Sequence, residues 1–146
     1  MELRKSTSAP VLAQLPQTPI RKEESWNDYV LQRARGQALF DTIYDRHTKR
    51  VMQSMADAYP DLAQSALHHL YGPLLSEGAI LTPRETSLIV VTGTFAMCVP
   101  SQLRGHIYGA LHNGAVKVDI ERLYNTVLLF CRHYGTPVPP LINVKL

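Results

Sequence analysis

Between Leu81 and Gly114 the chain reads LTPRETSLIVVTGTFAMCVPSQLRGHIYGALHNG, and the residues there with chemistry to offer are His106, Glu85 and Cys98. An imidazole titrates near neutral pH, so His106 can give or take a proton where a reaction needs one. Glu85 stands three residues after Thr82, a spacing that suits two tasks. Its carboxylate can orient or recharge His106, or it can close a Thr-x-x-Glu capping box in which backbone N–H groups occupy its oxygens. Capping is the simpler use. Arg84 and Arg104 lie close by in sequence and offer charge to an anionic substrate, although such arginines more often cover a solvated face. Cys98 reads as a small apolar residue, because no second thiol stands near it and Cys131 belongs to a separate helix.

These residues need elements to hold them. Thr82, Pro83 and Glu85 make a helix start, with a capping hydroxyl, a proline where no N–H is required and a glutamate that reaches back. The following SLIVVTGTFAM is expected to continue as a buried helix. LIVV alone would also suit a strand, but the cap and the total length argue for helix. Pro100 and Ser101 open a second helix, QLRGHIYGALH, and Asn113 with Gly114 supply a left-handed stop. Leu103, His106, Ile107, Ala110 and Leu111 keep helical spacing, so His106 sits on the inward stripe or its edge. A histidine there is more often a core residue whose ring nitrogens find a carbonyl or carboxylate, and a general acid or base is the sharper alternative. Spacing does not choose between them.

The run from Leu81, continued by HIYGALHNGAVKVDIERLYNTVLLFCRHYGTP with Gly135 and Pro137 at its close, resembles the carboxymuconolactone decarboxylase family. Upstream, RARGQALFDTIYDRHTKRVM and LYGPLLSEGAILTPRETSL resemble the family's opening segment and its glycine-bearing lead into the capped helix, so the likeness runs from near Arg33 to Pro137. It implies an all-α, alkylhydroperoxidase D-like helical bundle. It also implies removal of a carboxylate from a small unsaturated lactone without a cofactor, with His106 as the proton donor. The peroxidase branch of the same superfamily works through Cys-x-x-Cys. Here that stretch reads Cys98-Val99-Pro100-Ser101, so a disulfide relay is not expected. Related decarboxylases commonly carry an arginine directly after the acidic residue of the capped helix. This chain has Thr86, which can supply neither charge nor a two-pronged hydrogen bond, and Arg84 or Arg104 would have to substitute.

Composition bounds the remainder. A chain of 146 residues with 45% hydrophobic content suits one domain. Residues 1–24 hold three prolines and no sustained period and read as an arm or targeting segment, 25–138 as the helical domain, and 139–146 as a tail. In the arm, Arg4, Lys5, Arg21 and Lys22 with Ser and Thr suggest mitochondrial targeting, while Glu2, Glu23, Glu24 and the prolines weaken an amphipathic helix. Val11, Leu12, Leu15 and Ile20 equally suit an arm wrapped on a neighbouring subunit. Val144-Lys145-Leu146 approximates a peroxisomal signal with the wrong first residue. A mitochondrial or cytoplasmic location is therefore the expectation, with a peroxisomal one a weaker hint. Two cysteines in different helices imply neither a disulfide framework nor a zinc site. No apolar run approaches the length that spans a bilayer, which predicts a soluble chain.

From Trp26 to Tyr71, apolar residues recur at spacings of three and four in three further helices, with Gly36 as a break or close-packing point and Gly72 with Pro73 as a stop. His68 and His69 point about 100° apart on a helix, and His47, His112 and His133 lack partners at ligand spacing, so no metal is assigned. Gly105 and Gly109 let another helix come close beside His106. The last helix is apolar over a wide arc from Val118 to Cys131, more than a small monomer covers, and a homo-oligomer or a place in a larger complex is expected. The formal charge of +3 is spread over several segments, so no nucleic acid partner is expected. Two functions follow: a lyase acting on a small anionic lactone, or a catalytically degenerate structural subunit of a larger, plausibly mitochondrial, assembly.

Overall fold

The computed structural model describes residues 8–14, 18 and 25–137, and among these every regular element is helical, so the chain is all-α. A short helix α1 (Ala9–Gln14) lies in the arm. Residues 1–7, 15–17 and 19–24 of the arm, and 138–146 with the Val144-Lys145-Leu146 end, fall outside the described residues.

The helical domain starts where the composition changes. Ser25 caps α2 (Trp26–Tyr44) through a closed box: its hydroxyl accepts the Asp28 N–H, and the Asp28 carboxylate accepts the Ser25 N–H at 2.8 Å. A single 3₁₀ turn (Asp45–His47) leads into α3 (Thr48–Ala58), which ends before Pro60. Next comes α4 (Leu62–Ser65), which runs without a break into a π-helical segment, Ala66–Leu75. Gly72 and Pro73 therefore do not stop this helix, contrary to the expectation from sequence. Proline lacks an N–H and its ring crowds the carbonyl four residues back, and the wider π turn accommodates both. The Ser76 N–H closes that turn on the Tyr71 carbonyl at 3.0 Å.

The C-terminal three helices follow the expected punctuation closely. Thr82 and Glu85 form the capping box of α5 (Pro83–Ala96), with Pro83 as its first residue. Helix α6 (Pro100–His112) ends at a left-handed Gly114 (φ 91°). Asn113 itself keeps a negative φ of −88°, so the left-handed stop falls to Gly114 alone, and the Asn113 side chain donates to Ser87. Helix α7 (Lys117–Tyr134) begins with the Asp119 carboxylate on the Val116 N–H and ends at left-handed Gly135, φ 64°.

Two apolar clusters hold these elements. One joins α5, α6 and α7 through Val91, Phe95, Leu103, Ile107, Ile120 and Val127. The other joins α2 to the π segment through Phe40, Ile43, Leu67 and Tyr71, with Met52 and Met55 of α3 against it. Helices α2 and α6 lie between the clusters and touch each other at Gly105 and Gly109, so these glycines do admit a neighbouring helix. A Cβ on Gly109 would lie 2.6 Å from Ile43 Cγ2. Where α2 crosses the π segment the backbones themselves meet, since a Cβ on Gly36 would lie 2.5 Å from the Gly72 nitrogen.

Candidate functional site

Four elements converge on His106. Leu39 and Ile43 of α2, Leu75 of the π segment, and Thr86, Ser87 and Val90 of α5 enclose a small cavity with His106 of α6 as its ring-bearing wall. The space measures about 10 Å³, roughly what one water needs. The His106 ring meets the Tyr44 ring edge to face, with centroids 6.0 Å apart. Among the described residues neither ring nitrogen has a hydrogen-bond partner. Burial holds its pKa below the ordinary histidine value, so the resting ring is neutral at pH 7. A histidine packed for structural reasons finds a carbonyl or carboxylate for its N–H. His106 instead presents a free lone pair and a free N–H inside a semi-dry space.

The polar lining comes from α5. Ser87 is buried, and its hydroxyl oxygen accepts from Asn113 Nδ2 at 2.9 Å, which leaves the hydroxyl hydrogen available. Thr86 lines the same cavity. Behind the apolar wall, Tyr44 and Tyr71 hydroxyls pair at 3.2 Å, and burial raises the pKa of both, so both stay protonated.

Of the four residues expected at a site, only His106 is in the cavity. Glu85 is exposed and committed to its cap: one carboxylate oxygen accepts from the Thr82 N–H and hydroxyl, each at 2.8 Å, and these bonds depress its pKa. Arg84 pairs with Asp119 at 2.8 Å, tying the start of α5 to the start of α7. Arg104 is exposed on α6 and does not line the cavity. Ser87 was not singled out in the sequence, and Asn113, Leu39 and Ile43 were read there only as a helix stop and a core stripe, not as parts of a site. Ser87 carried one usable signal, as a polar residue inside an apolar helix next to Thr86. Cys98 is half-buried at the end of α5 with φ 55°, Cys131 is buried in α7, and both are free thiols. Among the described residues no cluster of histidine, cysteine or carboxylate side chains is placed to hold a metal ion, and no helix is long and apolar enough to cross a membrane.

A second concavity adjoins the first. Leu39 and Leu75 line both it and the His106 cavity, and Arg35, Ser76, Leu81 and Pro83 form much of the remainder, in a cleft of about 140 Å³ open to solvent. The Arg35 guanidinium donates from Nε to Ser76 Oγ at 2.9 Å and from Nη2 to Glu77 Oε2 at 3.1 Å.

No family model matches the chain, and no solved structure matches it. Two curated relatives do. The chain is 38% identical over 101 residues to a Schizosaccharomyces pombe protein named "Peroxisomal protein 2", a stretch covering 69% of this chain and 47% of that protein. It is 35% identical over 96 residues to a Saccharomyces cerevisiae protein of the same name, covering 66% of this chain and 34% of that protein. The chain thus aligns with less than half the length of either relative. The shared name speaks of a peroxisome, and neither name points to a mitochondrion or to the cytoplasm.

Proposed function

We propose that the chain is a cofactor-independent decarboxylase of a small unsaturated lactone acid, with His106 as its proton-transfer residue. The observation that carries this reading is the half-buried His106 ring, unpartnered among the described residues, in a cavity that Thr86 and Ser87 also line. As the bond between ring carbon and carboxylate breaks, carbon dioxide leaves and the electron pair spreads toward the lactone carbonyl. Protonation at carbon completes the reaction. His106 is neutral at rest, and a bound anion beside it favours the imidazolium, so substrate binding loads the proton that the ring then delivers. Solvent restores that proton after each turnover. In this reading the Ser87 hydroxyl, whose oxygen accepts from Asn113, donates to the developing oxyanion.

The test is carbon dioxide release from a panel of unsaturated lactone carboxylates by the purified chain. His106→Gln is expected to slow turnover by about 10²- to 10⁴-fold, the range for a positioned general acid, while Glu85→Gln keeps it. Turnover unchanged in His106→Gln would sink the role of His106, and no carbon dioxide release from any member of the panel would sink the decarboxylase.

A second reading, a structural role within an assembly, is favoured by exposed apolar side chains on two helices: Leu129, Phe130 and Tyr134 of α7, and Trp26 and Leu31 of α2. Native mass separates the two. A particle of a few identical chains supports the enzyme, and stoichiometric migration with a much larger complex supports the subunit. The relatives' name supports a peroxisomal address for either, which imaging of the tagged full chain against peroxisomal and mitochondrial markers tests.

A further inference from the structure

The cavity around His106 admits about one water, so any organic substrate must enter from a neighbouring space. Leu39 and Leu75 separate that cavity from the outer cleft, and each lines both. Rotation of these two leucine side chains is therefore the route by which the spaces would join. The cleft combines apolar walls from Leu39, Leu75, Leu81 and Pro83 with the guanidinium of Arg35. At about 140 Å³ it is smaller than the roughly 300–1,000 Å³ of pockets for drug-sized ligands, so its ligand is a compact acid with an apolar body.

We infer that Arg35 is the carboxylate-binding residue of this outer cleft, and that Glu77 holds its place until a substrate carboxylate displaces it. Three features of the guanidinium support this. Its Nε is fixed by a neutral group, Ser76 Oγ, which in turn donates to the Gly72 carbonyl at 2.7 Å. Its charge is met by Glu77, with both side chains substantially exposed, 44% for Arg35 and 32% for Glu77. Such a pair is screened by water and readily exchanged. Its Nη1 has no partner among the described residues, which leaves a donor for the two-pronged grip that a carboxylate accepts. Arg35 thus has a fixed orientation and an exchangeable anion. Neither Arg84, spent on Asp119, nor uncharged Thr86 offers that combination.

The inference rests on the proposed decarboxylase only for the identity of the acid. Its test is therefore binding rather than turnover: calorimetric titration of the full chain with 5-oxotetrahydrofuran-2-carboxylate, a saturated lactone acid, and with its methyl ester. The acid is expected to bind at least tenfold more tightly than the ester. Arg35→Gln should remove at least tenfold of the acid's affinity, Arg35→Lys less, and Arg33→Gln on the same helix none. Glu77→Gln should tighten the acid severalfold by removing the resident competitor, a direction that general loosening of the fold does not produce. Equal affinity for acid and ester, or acid affinity unchanged in Arg35→Gln, overturns the inference. If Arg35→Gln does not fold, Glu77→Gln decides, and unaltered affinity there overturns it too. Arg35-dependent binding with no carbon dioxide release from any unsaturated lactone acid would sink the decarboxylase reading and leave the anion site standing.

Discussion

Helices α5 to α7 are held by side chains alone, whereas α2 meets the π segment through side chains and through a direct approach of backbone to backbone. In the first region Val91, Phe95, Leu103 and Ile107 interlock around one another, every helix has an identifiable start, and Gly93 faces open space. In the second, Phe40 packs between a tilted Tyr44 ring and an edge-on Tyr71 ring, with centroids 4.5 and 4.8 Å away, and two glycines let the chains touch. The difference teaches where each region is vulnerable. Interlocked side chains suffer when atoms are removed, and touching backbones suffer when an atom is added.

Substitutions can break that contrast. Phe95→Ala, which empties the centre of the α5–α7 cluster, should cost about 3–5 kcal/mol in denaturant unfolding. Gly36→Ala should cost about 3 kcal/mol, the upper end for overpacking, because the new methyl meets the Gly72 backbone, which has nowhere to go. Gly109→Ala meets the side chain of Ile43 instead. It should cost about 1–2 kcal/mol, partly recovered in combination with Ile43→Val. A Gly109→Ala cost exceeding that of Gly36→Ala would defeat the distinction between backbone and side-chain contact. Thr82→Ala should cost about 1 kcal/mol through the lost cap. Gly93→Ala should raise stability by about 0.5–1 kcal/mol, since the helix gains and nothing is struck.

Acid sharpens the same comparison at the cavity between the regions. Burial lowers the folded pKa of His106 below the unfolded value of 6.5, so the unfolded chain binds the proton more readily. The stabilisation from keeping the ring neutral is fully present above the unfolded pKa and is lost as pH falls below it through the folded pKa. Asp28, Glu85 and Asp119 also have depressed values, but they act on the acid side of their own unfolded pKa values, 3.8 to 4.5. Melting temperatures between pH 5 and pH 7.5 should therefore fall on acidification in the parent chain and fall less in His106→Gln. Parallel curves would show that the ring protonates without opposing the fold.

Much of the C-terminal region was legible because its signals are local. A Thr-Pro-x-Glu start, a proline-led second helix and a closing glycine each act over four residues, and each appears where expected. The Gly72-Pro73 stop failed because a wider helical turn can absorb a proline when the neighbouring backbone stabilises it, and that neighbour, Gly36, is distant in sequence. At the site, His106 stood out by residue type, and the capping use of Glu85 was readable from spacing. Arg84 and Arg104 were chosen by nearness in sequence, whereas the cation beside the outer cleft is Arg35, on a helix some fifty residues earlier. Ser87 and Asn113 meet through a hydrogen bond between the first turns of α5 and the end of α6, which no periodicity encodes.

The contact between Gly36 and Gly72 also sets how α2 can move. A slide by one residue would drive a Cβ into the opposite chain. A second close approach lies one turn earlier on α2, since a Cβ on Gly72 would lie 2.9 Å from the Gln32 carbonyl. Two approaches on one face lock the register of α2 against the π segment. Leu39 stands about 4.5 Å along α2 from Gly36, at 1.5 Å per residue, so the same lock holds one of the two leucines between the outer cleft and His106 in place.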